Sequence, residues 1–141
     1  MQELYEDKYL DIKLDNNKLI YTIYNIDDLP TKEELIIIQD KLDTFLNTIL
    51  ESKKKFYQIF IFNEVNIIGL CNFTDRLDMM RSFFEKHHVL FQSQLYCTIL
   101  VLDSILIRTT MEVIFKISPP TKPIHFTKKR EKIQKFVDMY K

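Results

Sequence analysis

The stretch from Phe56 to Phe62 reads Phe-Tyr-Gln-Ile-Phe-Ile-Phe, and it decides the fold that we predict for this chain. A nearly continuous apolar run of this length is typical of a strand that is buried on both faces of a sheet. Leu95 to Leu102 is a second run of the same kind. Two such strands predict the centre of a sheet that has helices packed on it.

The N-terminal third predicts a hairpin and a long helix. Residues 9–15 alternate apolar and polar side chains, residues 15–17 (Asp-Asn-Asn) suit a tight turn, and residues 18–26 resume a strand-like pattern. Thr31 and Glu34 have the spacing of a helix capping box, and apolar residues then recur every three or four positions. We therefore expect a β-hairpin followed by an amphipathic helix.

Each of the two apolar runs is followed by the signals of a further helix. Asn72 can cap a helix along residues 73–84, after a loop from Asn63 to Leu70. Ser104 can cap a helix from Ile105 to Ile117, which has to end before the two prolines that follow. Strand and helix patterns thus alternate, as they do in βαβ units.

The last residues complete the pattern. Residues 123–126 predict a short edge strand, and residues 128–140 predict a final helix with its apolar side chains facing inward. The whole order is that of an α/β domain with a mixed, mostly parallel sheet of about five strands, opened by a hairpin, and four helices. A chain of 141 residues has the size of one domain, which we expect to span residues 1–141.

Composition excludes several classes of function. Twenty basic and twenty acidic residues balance, which argues against a protein held on nucleic acid by its net charge. A single glycine, Gly69, cannot build a glycine-rich phosphate loop. Cys71 and Cys97 lie inside apolar runs at no metal-binding or redox spacing, so both are predicted to be buried free thiols, and we expect neither a metal nor a cofactor.

The N-terminus does not have the pattern of a signal peptide, and no apolar run is as long as a membrane span. We therefore expect a cytoplasmic protein that does not cross a membrane. The abundance of isoleucine, lysine, asparagine and tyrosine indicates an AT-rich genome, such as that of a protist or a large DNA virus.

Polar residues at two predicted helix starts form the candidate binding site. Asn72 and Thr74 lie at one start and Ser104 lies at the next. Both helices follow the carboxyl ends of the buried strands, where open α/β sheets bind ligands. Arg108, one turn into the later helix, can supply a cation for an anionic group. Ordinary helix capping, with a solvated arginine, is the alternative interpretation.

Aromatic and methionine side chains crowd the second predicted helix. They occur on more than one of its faces and are Phe73, Met79, Met80, Phe83 and Phe84. Methionine-rich surfaces suit adaptable apolar contacts. The helix either belongs entirely to the core or has one face in the core and another against a protein partner or a lipid.

Two segments carry a family resemblance. The run from Cys97 to Arg108 (CTILVLDSILIR) and the run from Phe115 to Ile124 (FKISPPTKPI), taken with the order of elements, resemble the STAS domains and their SpoIIAA-like relatives. They also look like the lipid-binding lobe of CRAL-TRIO proteins. The likeness is motif-like from about Phe73 to Phe126.

The resemblance implies a non-enzymatic regulatory or scaffolding module that binds a protein partner or a small ligand. In the anti-sigma factor antagonists typical of STAS domains, a phosphorylatable residue begins the helix after the central strand, within a glycine-bearing Asp-Ser motif. Residues 70–75 hold that place here without the motif, and only Thr74 offers a hydroxyl as phosphosite. The CRAL-TRIO likeness implies the alternative, a small protein that binds a lipid or another apolar ligand.

Overall fold

Strands and helices alternate along the chain in a computed structural model that describes residues 1–24, 30–63, 67–117 and 119–141. At 67–75, 77, 106, 110, 114 and 117 it describes the backbone alone. The strands are β1 (Gln2–Glu6), β2 (Leu10–Asp15), β3 (Lys18–Ile23), β4 (Phe56–Phe62), β5 (Leu95–Val101) and β6 (Ile124–Thr127). The helices are α1 (Lys32–Ser52), α2 (Ile67–Lys86), α3 (His88–Gln94), α4 (Ile105–Ile117) and α5 (Ile133–Asp138), and a 3-10 turn (Arg130–Lys132) precedes the last.

The described strands form one mixed sheet in which every strand pairs with its neighbours in sequence. The order is β1-β2-β3-β4-β5-β6. β1, β2 and β3 pair antiparallel, whereas β3 to β6 pair parallel. The predicted α/β class, with a mixed sheet opened by a hairpin, is confirmed. The sheet has six described strands where about five were expected.

Local sequence signals explain how the domain begins. Asn16 takes a left-handed backbone with φ 58°, which asparagine tolerates, and Asp15 pairs with Lys18 across this tight turn. The Thr31 side chain accepts a hydrogen bond from the backbone N–H of Glu34, whose carboxylate in turn accepts one from the Thr31 N–H. The predicted hairpin turn and the predicted capping box are both confirmed.

β4 is covered on both of its faces, as its apolar run predicts. Tyr57, Ile59 and Ile61 pack with Ile133, Phe136, Val137 and Tyr140 around α5. The other face of the sheet, which carries Phe56, Gln58, Phe60 and Phe62 of β4, is here named the helix face. Side chains of α1, α2, α3 and α4 pack on the helix face. The inward-facing residues predicted for the last helix are confirmed.

Two described elements are absent from the predicted pattern. β1 is an edge strand whose side chains are exposed or half-buried, so its sequence carries no apolar run. α3 begins after a turn at His87 and is tied to the end of α1, because the Gln94 amide donates to the carbonyls of Ile49 and Lys54, each at 2.8 Å. A tertiary contact of this kind leaves no local sequence pattern.

None of the helices, over the residues that the structure describes, combines the length and the apolar character needed to cross a membrane.

Candidate functional site

The helix start predicted at Asn72 is wrong. α2 begins at Ile67, so Asn72 and Thr74 are its sixth and eighth residues, and their side chains lie outside the described part of the chain. Asparagine caps helices well but also occurs inside them, and the apolar residues before it suit a helix as well as a loop. Thr74 therefore does not lie among the unpaired N–H groups of the first turn, which would have stabilised a phosphate. Its phosphorylation stays a prediction.

The helix start predicted at Ser104 is confirmed. The Ser104 side chain accepts a hydrogen bond from the Ile107 N–H at 3.3 Å, and its carbonyl accepts one from the Arg108 N–H at 3.0 Å. The Arg108 guanidinium donates to Glu112 at 3.0 Å and lies 5.2 Å from the centre of the Phe126 ring. The Ser104 hydroxyl and the Arg108 guanidinium, which were predicted to bind a ligand, thus both have partners within the chain.

The sheet topology also removes one reason for placing a ligand at the carboxyl ends of the strands. Crevices at that edge form where the strand order of a parallel sheet reverses. In this sheet the parallel strands β3, β4, β5 and β6 follow one another without a reversal. The helix starts before α2 and α4 are therefore not joined into one site by a topological switch point.

A cavity of about 540 Å³ lies instead between the helix face and the helices that pack on it. We call it the apolar cavity. Its floor comes from β4, β5 and β6 through Gln58, Phe60, Phe62, Thr98, Leu100 and Ile124. Its walls come from the helices through Met80, Phe84, Phe91, Met111 and Phe115. Cavities of this size and lining are typical of small-molecule sites.

Exposed side chains surround the mouth of the apolar cavity. Asp78 and Glu85 are acidic, and Arg81 is basic. The Arg81 guanidinium lies 3.2 Å from the Asp78 carboxylate. Half-buried Lys122 lies on the segment after α4. These four charged side chains therefore come from α2 and the segment after α4 and not from the strands, and they are two acids and two bases.

A second hollow, of about 440 Å³, lies between α1 and α2. Most of the side chains that line it are exposed, including Asp40, Ser82 and Lys86. It is therefore a surface groove whose lining is mostly open to water.

The aromatic and methionine side chains of the second predicted helix lie in three different places: the core, the groove and the apolar cavity. Phe83 is buried in the core beneath α1, while Met79 lines the groove between α1 and α2. Met80 and Phe84 line the apolar cavity. The Phe73 side chain lies outside the described residues. The helix therefore has one face in the core and another on a cavity, and contact with a protein partner or a lipid stays a prediction.

Sequence reasoning did not single out Gln58 and Thr98 as site residues, although a signal for each was present. Each is a polar residue in the middle of an apolar strand, and each is buried. A buried polar side chain in such a place needs a hydrogen-bonding partner. What the sequence cannot indicate is that the two are neighbours across β4 and β5.

The opposite face of the sheet carries a second group of reactive side chains. Cys97 is a buried free thiol, as predicted, and burial raises its pKa to about 11. The Cys71 side chain lies outside the described residues. His125 Nε2 lies 2.6 Å from the Tyr140 hydroxyl, and its ring stacks on Phe136. In the part of the chain that the structure describes, no three His, Cys, Asp or Glu side chains are grouped to hold a metal ion.

Burial of His125 is expected to make the domain less stable in mild acid. Desolvation lowers the pKa of His125 below its ordinary value of 6.5, so the unfolded chain takes up protons first as the pH falls. The contribution of neutral His125 to the free energy of unfolding is fully present above about pH 6.5, and it is lost as the pH falls below that value. His125→Gln should therefore show a smaller fall in Tm than the natural chain between about pH 8 and about pH 5.5. The exposed His88, changed in the same way, is the control, and an equal effect there would contradict a role of burial.

Comparison with models of known protein families gives no match, and searches of curated proteins and of solved structures give no significant match. The resemblance to STAS domains therefore stays a prediction from sequence.

Proposed function

We propose that this chain is a non-enzymatic binding protein that holds one small, mostly apolar molecule in the apolar cavity. The observation that carries the proposal is the lining of that cavity, in which aromatic, methionine and leucine side chains surround about 540 Å³. An apolar molecule gains free energy on leaving water for such a space, at about 25 cal/mol for each Å² removed from water. The CRAL-TRIO-like features of the sequence agree with this proposal.

The polar groups at the floor of the cavity support binding without catalysis. Gln58 contributes an amide and Thr98 a hydroxyl, and neither is a base at neutral pH. A nucleophilic hydroxyl needs a base within hydrogen-bonding distance. The Thr98 hydroxyl oxygen accepts a hydrogen bond from the Gln58 amide, at 3.5 Å.

Titration with N-phenyl-1-naphthylamine, a neutral fluorescent probe, tests the proposal. At about 0.3 kcal/mol for each non-hydrogen atom, the probe should bind with a dissociation constant on the order of 0.1 mM or tighter. We expect a saturable rise in fluorescence, and native mass spectrometry should record one probe molecule per chain. A rise that does not saturate, or that needs several probes per chain, would contradict a defined cavity site.

As a second function, we propose that a protein partner binds the outer face of α4. This is the predicted partner surface near Ser104 and Arg108, and it is favoured by the exposure of two apolar side chains there, Ile105 at 71% and Val113 at 51%. A photo-crosslinking amino acid at Ile105 should give one adduct in an extract of the native source, and Val113→Asp should remove it. The same probe at exposed Ser93 is the control. Identical adducts from both positions, or none from Ile105, would refute this proposal.

A further inference from the structure

The floor of the apolar cavity carries one hydrogen-bonded pair of polar side chains. Gln58 and Thr98 are register partners on β4 and β5, and they are 5% and 8% exposed. The Gln58 amide donates to the Thr98 hydroxyl oxygen at 3.5 Å. Their neighbours on the helix face, Phe60 and Leu100, are apolar. Whatever enters the cavity therefore meets this pair as its polar contact at the floor.

A third residue sets the direction of the hydrogen bonds. The hydroxyl of Tyr21 donates to the Gln58 carbonyl oxygen at 3.1 Å. Tyr21 is buried, and burial raises the pKa of its phenol far above the ordinary value, so the phenol keeps its proton. Because the amide oxygen faces Tyr21, the amide nitrogen has to face Thr98. Tyr21 does not line the cavity and is a positioning residue.

This direction leaves the Thr98 proton without an acceptor. The hydroxyl oxygen accepts from Gln58, so its own proton has to be donated elsewhere. None of the described residues accepts that proton. Thr98 lines the cavity, so an acceptor on a bound molecule can take the proton. The sequence of donors runs from Tyr21 through Gln58 to Thr98 and ends at the cavity.

We infer that the bound molecule has an apolar body ending in a neutral hydrogen-bond acceptor, such as a ketone, aldehyde, ester or ether oxygen, to which the Thr98 hydroxyl donates. This inference rests on the proposed function of the apolar cavity. A carboxylate at the floor is disfavoured, because burying a charge without a cation costs far more than one neutral hydrogen bond returns. Two cations that line the cavity, Arg81 and Lys122, come from α2 and from the segment after α4, not from the strands that form the floor.

Three probes with the same carbon count separate the alternatives: 2-octanone has a neutral acceptor, octane has none, and octanoate carries a charge. Each is measured by displacement of N-phenyl-1-naphthylamine. Thr98→Val keeps the shape of the side chain and removes the donor. It should therefore lower the affinity for 2-octanone about five- to tenfold and leave the affinity for octane unchanged. Thr98→Ser keeps the hydroxyl and should retain the affinity for 2-octanone.

Tyr21→Phe provides an independent test that leaves the cavity lining unaltered. The ring of Tyr21 stacks on Phe60 with centres 4.4 Å apart, and phenylalanine keeps that contact. Without the phenol proton the Gln58 amide can turn over and accept from Thr98, which then no longer donates to the ligand. The preference for 2-octanone over octane should fall although Thr98 is intact. Loss of packing alone would lower the affinities for 2-octanone and octane equally.

The outcomes distinguish the inference from the function on which it rests. If N-phenyl-1-naphthylamine does not bind at one site per chain, the proposed function fails and the inference fails with it. If octane binds and 2-octanone is insensitive to Thr98→Val, the inference alone is overturned. Tighter binding of octanoate than of 2-octanone, or its weakening by Thr98→Val, also overturns it. Should Thr98→Val not fold, Tyr21→Phe decides in the same way.

Discussion

Replacing Met111 with tryptophan should weaken the binding of N-phenyl-1-naphthylamine at least tenfold, a loss of about 1.4 kcal/mol or more. Met111 is buried on α4, and its side chain lines the apolar cavity. The larger indole can occupy the adjoining space without displacing the core, because that space is empty of protein atoms. The volume that would hold the probe is then filled by the protein itself.

Val113→Trp is the matched control for this experiment. Val113 lies two residues further along α4, is 51% exposed, and does not line the cavity. The control adds the same ring to the same helix on its outer side, so the affinity for the probe should be unchanged. Equal weakening by both variants would show that the probe binds elsewhere or senses a general disturbance of α4.

Replacing Leu46 with alanine should lower the free energy of unfolding by about 3 kcal/mol. Leu46 lies in the middle of α1, is 0% exposed, and belongs to the core cluster between α1, α3 and the helix face. Alanine there loses the apolar transfer free energy and leaves a cavity that the surrounding side chains can fill only in part. Denaturation with urea, followed by circular dichroism, measures the change.

Leu50→Ala tests whether burial causes this effect. Leu50 lies one turn further along the same helix and is 38% exposed. The same atoms are removed from it, but the site stays open to water, so the cost should be below about 1 kcal/mol. Equal costs at the two positions would contradict the assignment of Leu46 to the core.

The predicted fold depended on signals that are local in sequence. The apolar runs at Phe56 and Leu95, the turn at Asn16 and the capping box at Thr31 each involve residues that are close together along the chain. All four features are present in the structure. β1 was not predicted, because an exposed edge strand needs no apolar run, and the start of α2 was misplaced, because Asn72 suits a helix interior as well as a cap.

The candidate site was predicted less well, because it depends on contacts between distant residues. Ser104 was identified as a cap, but its hydroxyl serves the helix itself. The sequence offers Arg108 as a cation for an anionic group, but in the structure it contacts Glu112 and Phe126. The cavity floor joins Gln58 to Thr98, forty residues apart, and Tyr21 adds a third distant position. No spacing along the chain indicates such a set.

The sequential order of the strands has a consequence for biosynthesis. Each strand pairs with the strand immediately before it, so the sheet can grow in the order in which the ribosome delivers the chain. The residues that line the apolar cavity run from Gln58 to Ile124, and Ile124 lies on the last of the described strands. The core cluster between α1, α3 and the helix face, whose last residue is Leu95, can therefore form before the cavity is complete, and only a chain that extends to Ile124 has the whole cavity lining for a ligand.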